Sequence, residues 1–223
     1  MKKCWKSLFL VLFFCAGLVA SAVLPAHGEA AMRVAWFPVA AAGTWTPVPR
    51  DTVGILEKKM DQALHVPLNG VLQAVEFVPE AEEEQALQEV MAALKAQKKH
   101  VRLRDAMQPL AEKLHADLVI CPVVANYEEF ETFGGLGLFG DDIGEEILHS
   151  YVTMELTGYD RLTGKVIYAS RSDSWRDTYS PSGQADVLIQ GCMDAVLEET
   201  DLHGRVTNWR AYAKQEQATP EKQ

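Results

Sequence analysis

Residues 135–140, Gly135-Leu136-Gly137-Leu138-Phe139-Gly140, spell the GxGxxG pattern that can cradle a dinucleotide pyrophosphate. That chemistry needs the glycines between a first strand and a helix whose N-terminus meets the phosphates. Here Asp141, Asp142, Glu145 and Glu146 follow at once and would repel a phosphate. The same carboxylates suit a hard cation such as calcium, but their spacing departs from the EF-hand pattern. The segment reads as a flexible, solvated loop, with a contact element as a further reading. Leu136, Leu138, Phe139 and Ile143 are apolar groups on a glycine-rich loop, and exposed apolar groups on a loop mark a partner surface.

Other catalytic groupings are absent from the sequence. His65, His100, His115, His149 and His203 contain no pair four residues apart, so no zincin-type helix exists. No GxSxG nucleophile turn occurs. Among 31 acidic residues no pair is singled out for glycoside cleavage. No catalytic residue, cofactor or metal ligand is therefore assigned. A secreted hydrolase of cell-wall or saccharide material, working through carboxylates, stays as the alternative to a non-enzymatic binding role.

The chain has 223 residues, 21 Lys and Arg against 31 Asp and Glu, and a net charge of −10. Acidity of that size argues against a nucleic-acid partner, which needs a basic face. Lys2, Lys3 and Lys6 precede an apolar run from Leu8 to Val19, followed by small residues and Pro25. This is the layout of a secretory signal peptide over residues 1–28. Cleavage after Ala22, Gly28 or Ala30 fits the small residues there. The run is about a dozen residues, short of the roughly 20 that a spanning helix needs. Loss of residues 1–28 removes three lysines and no acids, leaving 195 residues with a charge of −13. The expected location is periplasmic or extracellular, with no transmembrane span after cleavage. Cys121 and Cys192 remain, both on apolar segments, and are expected as buried free thiols.

The hydrophobic pattern predicts the supporting elements. Arg33–Val39 reads as a buried strand, 40–50 as a loop, and Asp51 or Thr52 as the cap of a helix to His65. Val71–Val78 reads as a second strand. A helix follows over Ala81–Gln97, with Leu87, Val90, Met91 and Leu94 inward. Glu80, Glu82, Glu83 and Glu84 at its start read as a solvated face complementing the helix dipole. A shorter helix capped by Asp105, with Pro109 in its first turn, leads into the strand Asp117–Val124 and an exposed extension, Tyr127–Phe133. After the loop 134–146, the strands Ile147–Tyr159 and Val166–Asp173 form the clearest hairpin. Val152, Met154 and Leu156 face one side, while Tyr151, Thr153 and Glu155 face the other. Ser180-Pro181 opens a last helix. The predicted fold is α/β (α+β): a mixed β-sheet of about five strands with helices packed on it and a long hairpin in the C-terminal half. A single domain over 32–203 and a polar tail over 204–223 are expected. Tyr151 and Thr153, on the exposed hairpin face, join Leu136, Leu138, Phe139 and Ile143 as candidate partner-binding residues.

Three segments carry a family resemblance. Met32–Val39, with its Phe37-Pro38 pair, resembles the first strand of bacterial envelope domains that include the TolB amino-terminal domain, the LpoB-like lipoproteins and the periplasmic domain of the curli secretion channel family. Leu110–Ile120 resembles their helix, turn, Ala-Asp pair and buried strand, with His115 where those domains carry a glycine suited to a left-handed helix cap. Gly158–Lys165 is similar to their last hairpin turn. The resemblance implies a non-enzymatic role, either binding another envelope component or self-association.

Overall fold

In the computed structural model, residues 31–44, 46–67, 74–98, 100–134 and 145–209 are described. The chain runs β1 (Met32–Trp36), β2 (Ala40–Ala41), α1 (Arg50–Leu64), β3 (Val75–Phe77), α2 (Glu80–Gln97), α3 (Leu103–Leu114), β4 (Leu118–Gly134), β5 (Glu145–Asp160), β6 (Lys165–Thr178) and α4 (Ala185–Thr200). A 3₁₀ turn, Pro181–Gly183, precedes α4, and residues 202–209 add a helix, α5. The predicted signal peptide and Leu136, Leu138, Phe139 and Ile143 lie outside the described residues.

The sheet is mixed, as predicted, in the order β3-β1-β4-β5-β6, with β2 pairing alongside β4. β1 lies parallel to both β3 and β4, and β4, β5 and β6 form an antiparallel meander. Parallel neighbours require crossovers, and these are α1 between β1 and β3, then α2 and α3 between β3 and β4. Alternation along the strands splits the core in two. Val34, Leu118, Ile120, Met154 and Leu156 face α1 and α4, meeting Leu56, Met60, Ile189 and Met193. Ala35, Val119, Cys121 and Tyr159 face α2 and α3, meeting Val90, Met107 and Leu110. Cys121 and Cys192 thus belong to different cores; both are free, and burial pushes each thiol up to about 11.

Local chemistry adjusts several predicted boundaries. Residues 40–41, read as loop, form β2 against Val123 and Val124. The first helix starts at Arg50, and Thr52 is buried rather than capping, hydrogen-bonded to Tyr127. Asp105 does not open α3; it sits in the first turn and accepts the Arg102 N–H at 3.0 Å. The helix therefore begins at Leu103 and Pro109 falls in its interior. At the other end, His115 takes a left-handed conformation (φ 51°, ψ 34°), and the Ala116 N–H returns to the Ala111 carbonyl at 2.9 Å. That is the cap for which glycine is the usual residue.

The predicted strand and its extension are one 17-residue strand, β4, with a bulge between Val124 and Asn126. Gly134 ends β4 and Glu145 opens β5, so the connecting loop is shorter than 134–146. The β5–β6 turn is held by Asp160 Oδ1, which accepts the Leu162 and Thr163 N–H groups at 3.0 and 3.3 Å, and by Gly164 at φ 65°. The last helix begins at Ala185, because Pro181–Gly183 tucks under Trp175 so closely that a Cβ on Gly183 would collide with the indole. The tail boundary expected at 204 falls inside α5, where Val206 is buried and Trp209 packs against the first core.

Candidate functional site

Strand length decides what the helices leave open. β5 has 16 residues, which is about 50 Å of strand, whereas the 12 residues of α3 span only about 18 Å. On the α3 side, among the described residues, the core reaches no further along β4 than Val123. Beyond it the three antiparallel strands present a bare face.

The register places Glu128, Tyr151 and Ser174 in one cross-strand row and Asn126, Thr153 and Ser172 in the next. Thr153 Oγ1 and Ser172 Oγ are 2.9 Å apart. Phe130 stacks on His149 with ring centroids 4.8 Å apart, and reaches Tyr151 at 6.3 Å. The Thr132 hydroxyl fixes the far edge of the imidazole at 2.8 Å from Nε2. Phe130 is 48% exposed and Tyr168 53%. Asn126, Tyr151, Thr153, Ser172, Asp173 and Ser174 line a shallow depression of about 360 Å³. Tyr151 and Thr153 are therefore together on this face. Phe130 was missed as its member, although the alternation of β4 puts it on the same side; Tyr168 also faces this side, but opposite Thr157, at the end where Cys121 meets the α2–α3 core.

A second concavity lies where β1 and β3 end. β3 stops at Phe77, and Val78 still donates to the Val34 carbonyl at 2.9 Å before the chain turns into α2. The next ladder position leaves the Trp36 N–H without a strand acceptor. Glu83 supplies one: the Trp36 N–H donates to Glu83 Oε1 at 2.8 Å. The carboxyl group is drawn inward, and Glu83 is only 4% exposed. Burial raises its pKa from 4.5 to about 7, against the hydrogen bond from Trp36, and the Glu80 charge adds to the rise. Glu83 is thus not part of the solvated acidic face predicted at the start of α2. The signal was present, since Glu83 stands three and seven residues before the inward Ala86 and Val90.

Trp36, Pro38, Phe77, Glu57, Asp61, Glu80 and Glu83 line an open concavity of about 450 Å³ here, a ligand-sized volume. A buried carboxyl titrating near neutrality is a candidate general acid, and it shares the pocket with two further acids from α1.

The remaining buried acids serve the fold. Asp117 accepts the Arg33 N–H at 2.9 Å and pairs with the Arg161 guanidinium, tying β1 to the hairpin turn. Asp160 pairs with Arg205 of α5 at 2.5 Å. Among the described residues, no group of three His, Cys, Asp or Glu converges to hold a metal ion, and no helix is long and apolar enough to cross a membrane. At the base of the segment 135–144, the Glu131 carboxyl hydrogen-bonds Glu146 and is raised by it.

No protein-family model and no curated protein matches the chain. Solved structures similar to it include a hypothetical protein from Chlamydia trachomatis, at 13% identity over 79% of this chain and 98% of that one, with a TM-score of 0.42. A lipoprotein from Neisseria meningitidis matches at 18% identity over 75% and 99% of the two chains, with a TM-score of 0.35. The LpoB C-terminal domain from Salmonella enterica matches at 11% identity over 71% and 90%, with a TM-score of 0.33.

Proposed function

We propose that the protein is an exported, non-enzymatic envelope component that docks onto another envelope component, or onto a second copy of itself, through the bare face of β4, β5 and β6. The carrying observation is that face: Phe130 and Tyr151 stand beside a row of hydroxyl groups on the stretch of β4, β5 and β6 beyond Val123, which the α2–α3 core does not reach. Exposed aromatic side chains within a polar surround are the composition of a recognition surface. Leu136, Leu138, Phe139 and Ile143, on the connection between β4 and β5, are proposed to extend it. Export rests on the predicted leader, which directs the mature chain to the periplasm or the exterior.

The test is photocrosslinking in intact cells from a benzoylphenylalanine placed at Tyr151 or Phe130, with Gln88 on the solvent side of α2 as control. Discrete crosslinked products from the first two positions, lost on Thr153→Arg, support docking. No product from either, in a protein that also runs as a strict monomer, overturns it. A hydrolytic reading draws on the Glu83 carboxyl. Reducing ends released from peptidoglycan by the wild type but not by Glu83→Gln would favour it over docking.

A further inference from the structure

The sheet ends on β6, and among the described residues no strand pairs with its outer side. Its 14 residues, Lys165–Thr178, include no proline or glycine and keep unbroken register with β5. The opposite edge is blunted: β3 has three residues, and Pro79 follows two positions later. Shortness, bulges and prolines are the usual guards against further pairing at an edge. β6 has none of them, so its charges decide what can pair with it.

The edge is open at its centre. Residues 170–174 are all exposed, so neither face of the strand is covered there. Two N–H groups of the edge are met by the carboxylate of the preceding residue. Ser174 donates to Asp173 Oδ1 and Thr178 to Asp177 Oδ1, each at 2.8 Å. By the two-residue alternation of an antiparallel ladder, Tyr168, Ser170, Ser172 and Arg176 also turn their N–H and C=O groups outward. The aspartates thus stand in for a strand that would complete the ladder. Arg171 and Arg176 make no ion pair among the described residues.

The strand is complementary to itself. Two copies paired antiparallel about a twofold axis at Ser172 place Arg171 opposite the partner's Asp173, and symmetry repeats the contact. These are non-hydrogen-bonded positions of the new ladder, where side chains stand closest. Ser170 meets the partner's Ser174, and Ala169 meets the partner's Trp175, small against large. Tyr168 meets the partner's Arg176, a cation on an aromatic ring. Moving the axis by one residue sets Arg171 against Arg171 or Asp173 against Asp173, which like-charge repulsion disfavours.

We propose that β6 pairs antiparallel with β6 of a second copy about Ser172, over Tyr168–Arg176, joining two sheets into one. As the Ser174 N–H takes a strand carbonyl, the Asp173 carboxylate is released to meet the partner's Arg171. The pairing uses the edge of the sheet rather than its bare face and does not rest on docking through that face.

Disulfide trapping and analytical ultracentrifugation of the purified protein test the proposal. Ser172→Cys should give a covalent homodimer under mild oxidation that the wild type does not form, since the axis sets the two Cα atoms about 5.5 Å apart. Cys121 and Cys192 are buried and do not compete. Ser170→Cys and Ser174→Cys should each fail alone, with like positions about 14 Å apart, yet crosslink to one another when mixed. Arg171→Asp and Asp173→Arg should each weaken self-association by roughly tenfold or more, because each sets like charges opposite at two symmetric places. Mixing these two variants should restore association, which also shows that both fold. In intact cells, benzoylphenylalanine at Tyr168 should yield a product containing two copies of the chain. A strict monomer, a dimer indifferent to both charge reversals, equal trapping at Ser170, Ser172 and Ser174, or Tyr168 products with a different protein alone overturns the assignment.

Discussion

Glu83→Gln tests the buried carboxyl through stability alone. In the unfolded chain the group titrates near 4.5 and in the folded protein near 7, because burial disfavours its charge. Below 4.5 it is neutral in both states. Above that, the unfolded chain ionises first, so the unfolded state binds fewer protons and stability falls as pH rises. The contribution is fully present below the unfolded value and is lost as pH rises through the folded one. A displacement from 4.5 to about 7 is worth about 3 kcal/mol. Glutamine removes the titration but keeps an oxygen for the Trp36 N–H, so the strand end stays closed. Urea denaturation followed by circular dichroism, at about pH 5 and about pH 8, compares the two proteins. The stability difference should move in favour of the variant by about 2–3 kcal/mol across that interval. Parallel curves for wild type and variant would refute the buried position of Glu83 and, with it, the closure of β1 by a side chain.

Two further substitutions probe the backbone. Gly158→Ala should destabilise by about 1–3 kcal/mol in urea, because its Cβ would sit inside 3.0 Å of the Val119 carbonyl oxygen, close to where the β4–β5 pairing begins at Leu118 and Asp160; an unchanged midpoint would show the two strands pairing less closely there. His115→Gly should stabilise by about 0.5–1 kcal/mol by relieving a side chain held at φ 51°, and a loss of stability instead would show the imidazole making a contact worth more than the strain.

Much of the architecture is written locally. The alternation of Val152, Met154 and Leu156 with Tyr151, Thr153 and Glu155 predicts which side of β5 is buried, and the structure agrees: the first three are in the core and the others stay partly open. Asp160 and Gly164 are enough to place the hairpin turn, since an Asx-type side chain and a positive φ are properties of single residues. The order of helices and strands, and hence the mixed sheet, follows from periodicity over windows of ten or so residues. Tyr151 and Thr153 were legible as exposed for the same reason.

What the sequence could not state is what lies opposite. The bareness of the β4–β5–β6 face depends on where α3 ends against strands far longer than itself. Cys121 and Cys192 share no core because their elements pack on different sides of the sheet, a matter of topology. Pro109 sits inside a helix because Asp105 caps from within the first turn rather than ahead of it. Glu83 shows the division most plainly. In sequence it is one acid among four at a helix start, where the dipole and water account for it. In the folded protein it is the acceptor for an N–H 47 residues earlier, which the end of β3 leaves unpaired. A hydrophobic pattern reports how each segment divides its own surface. Only the assembled sheet decides which polar group is left without a partner, and which distant side chain must enter the core to meet it.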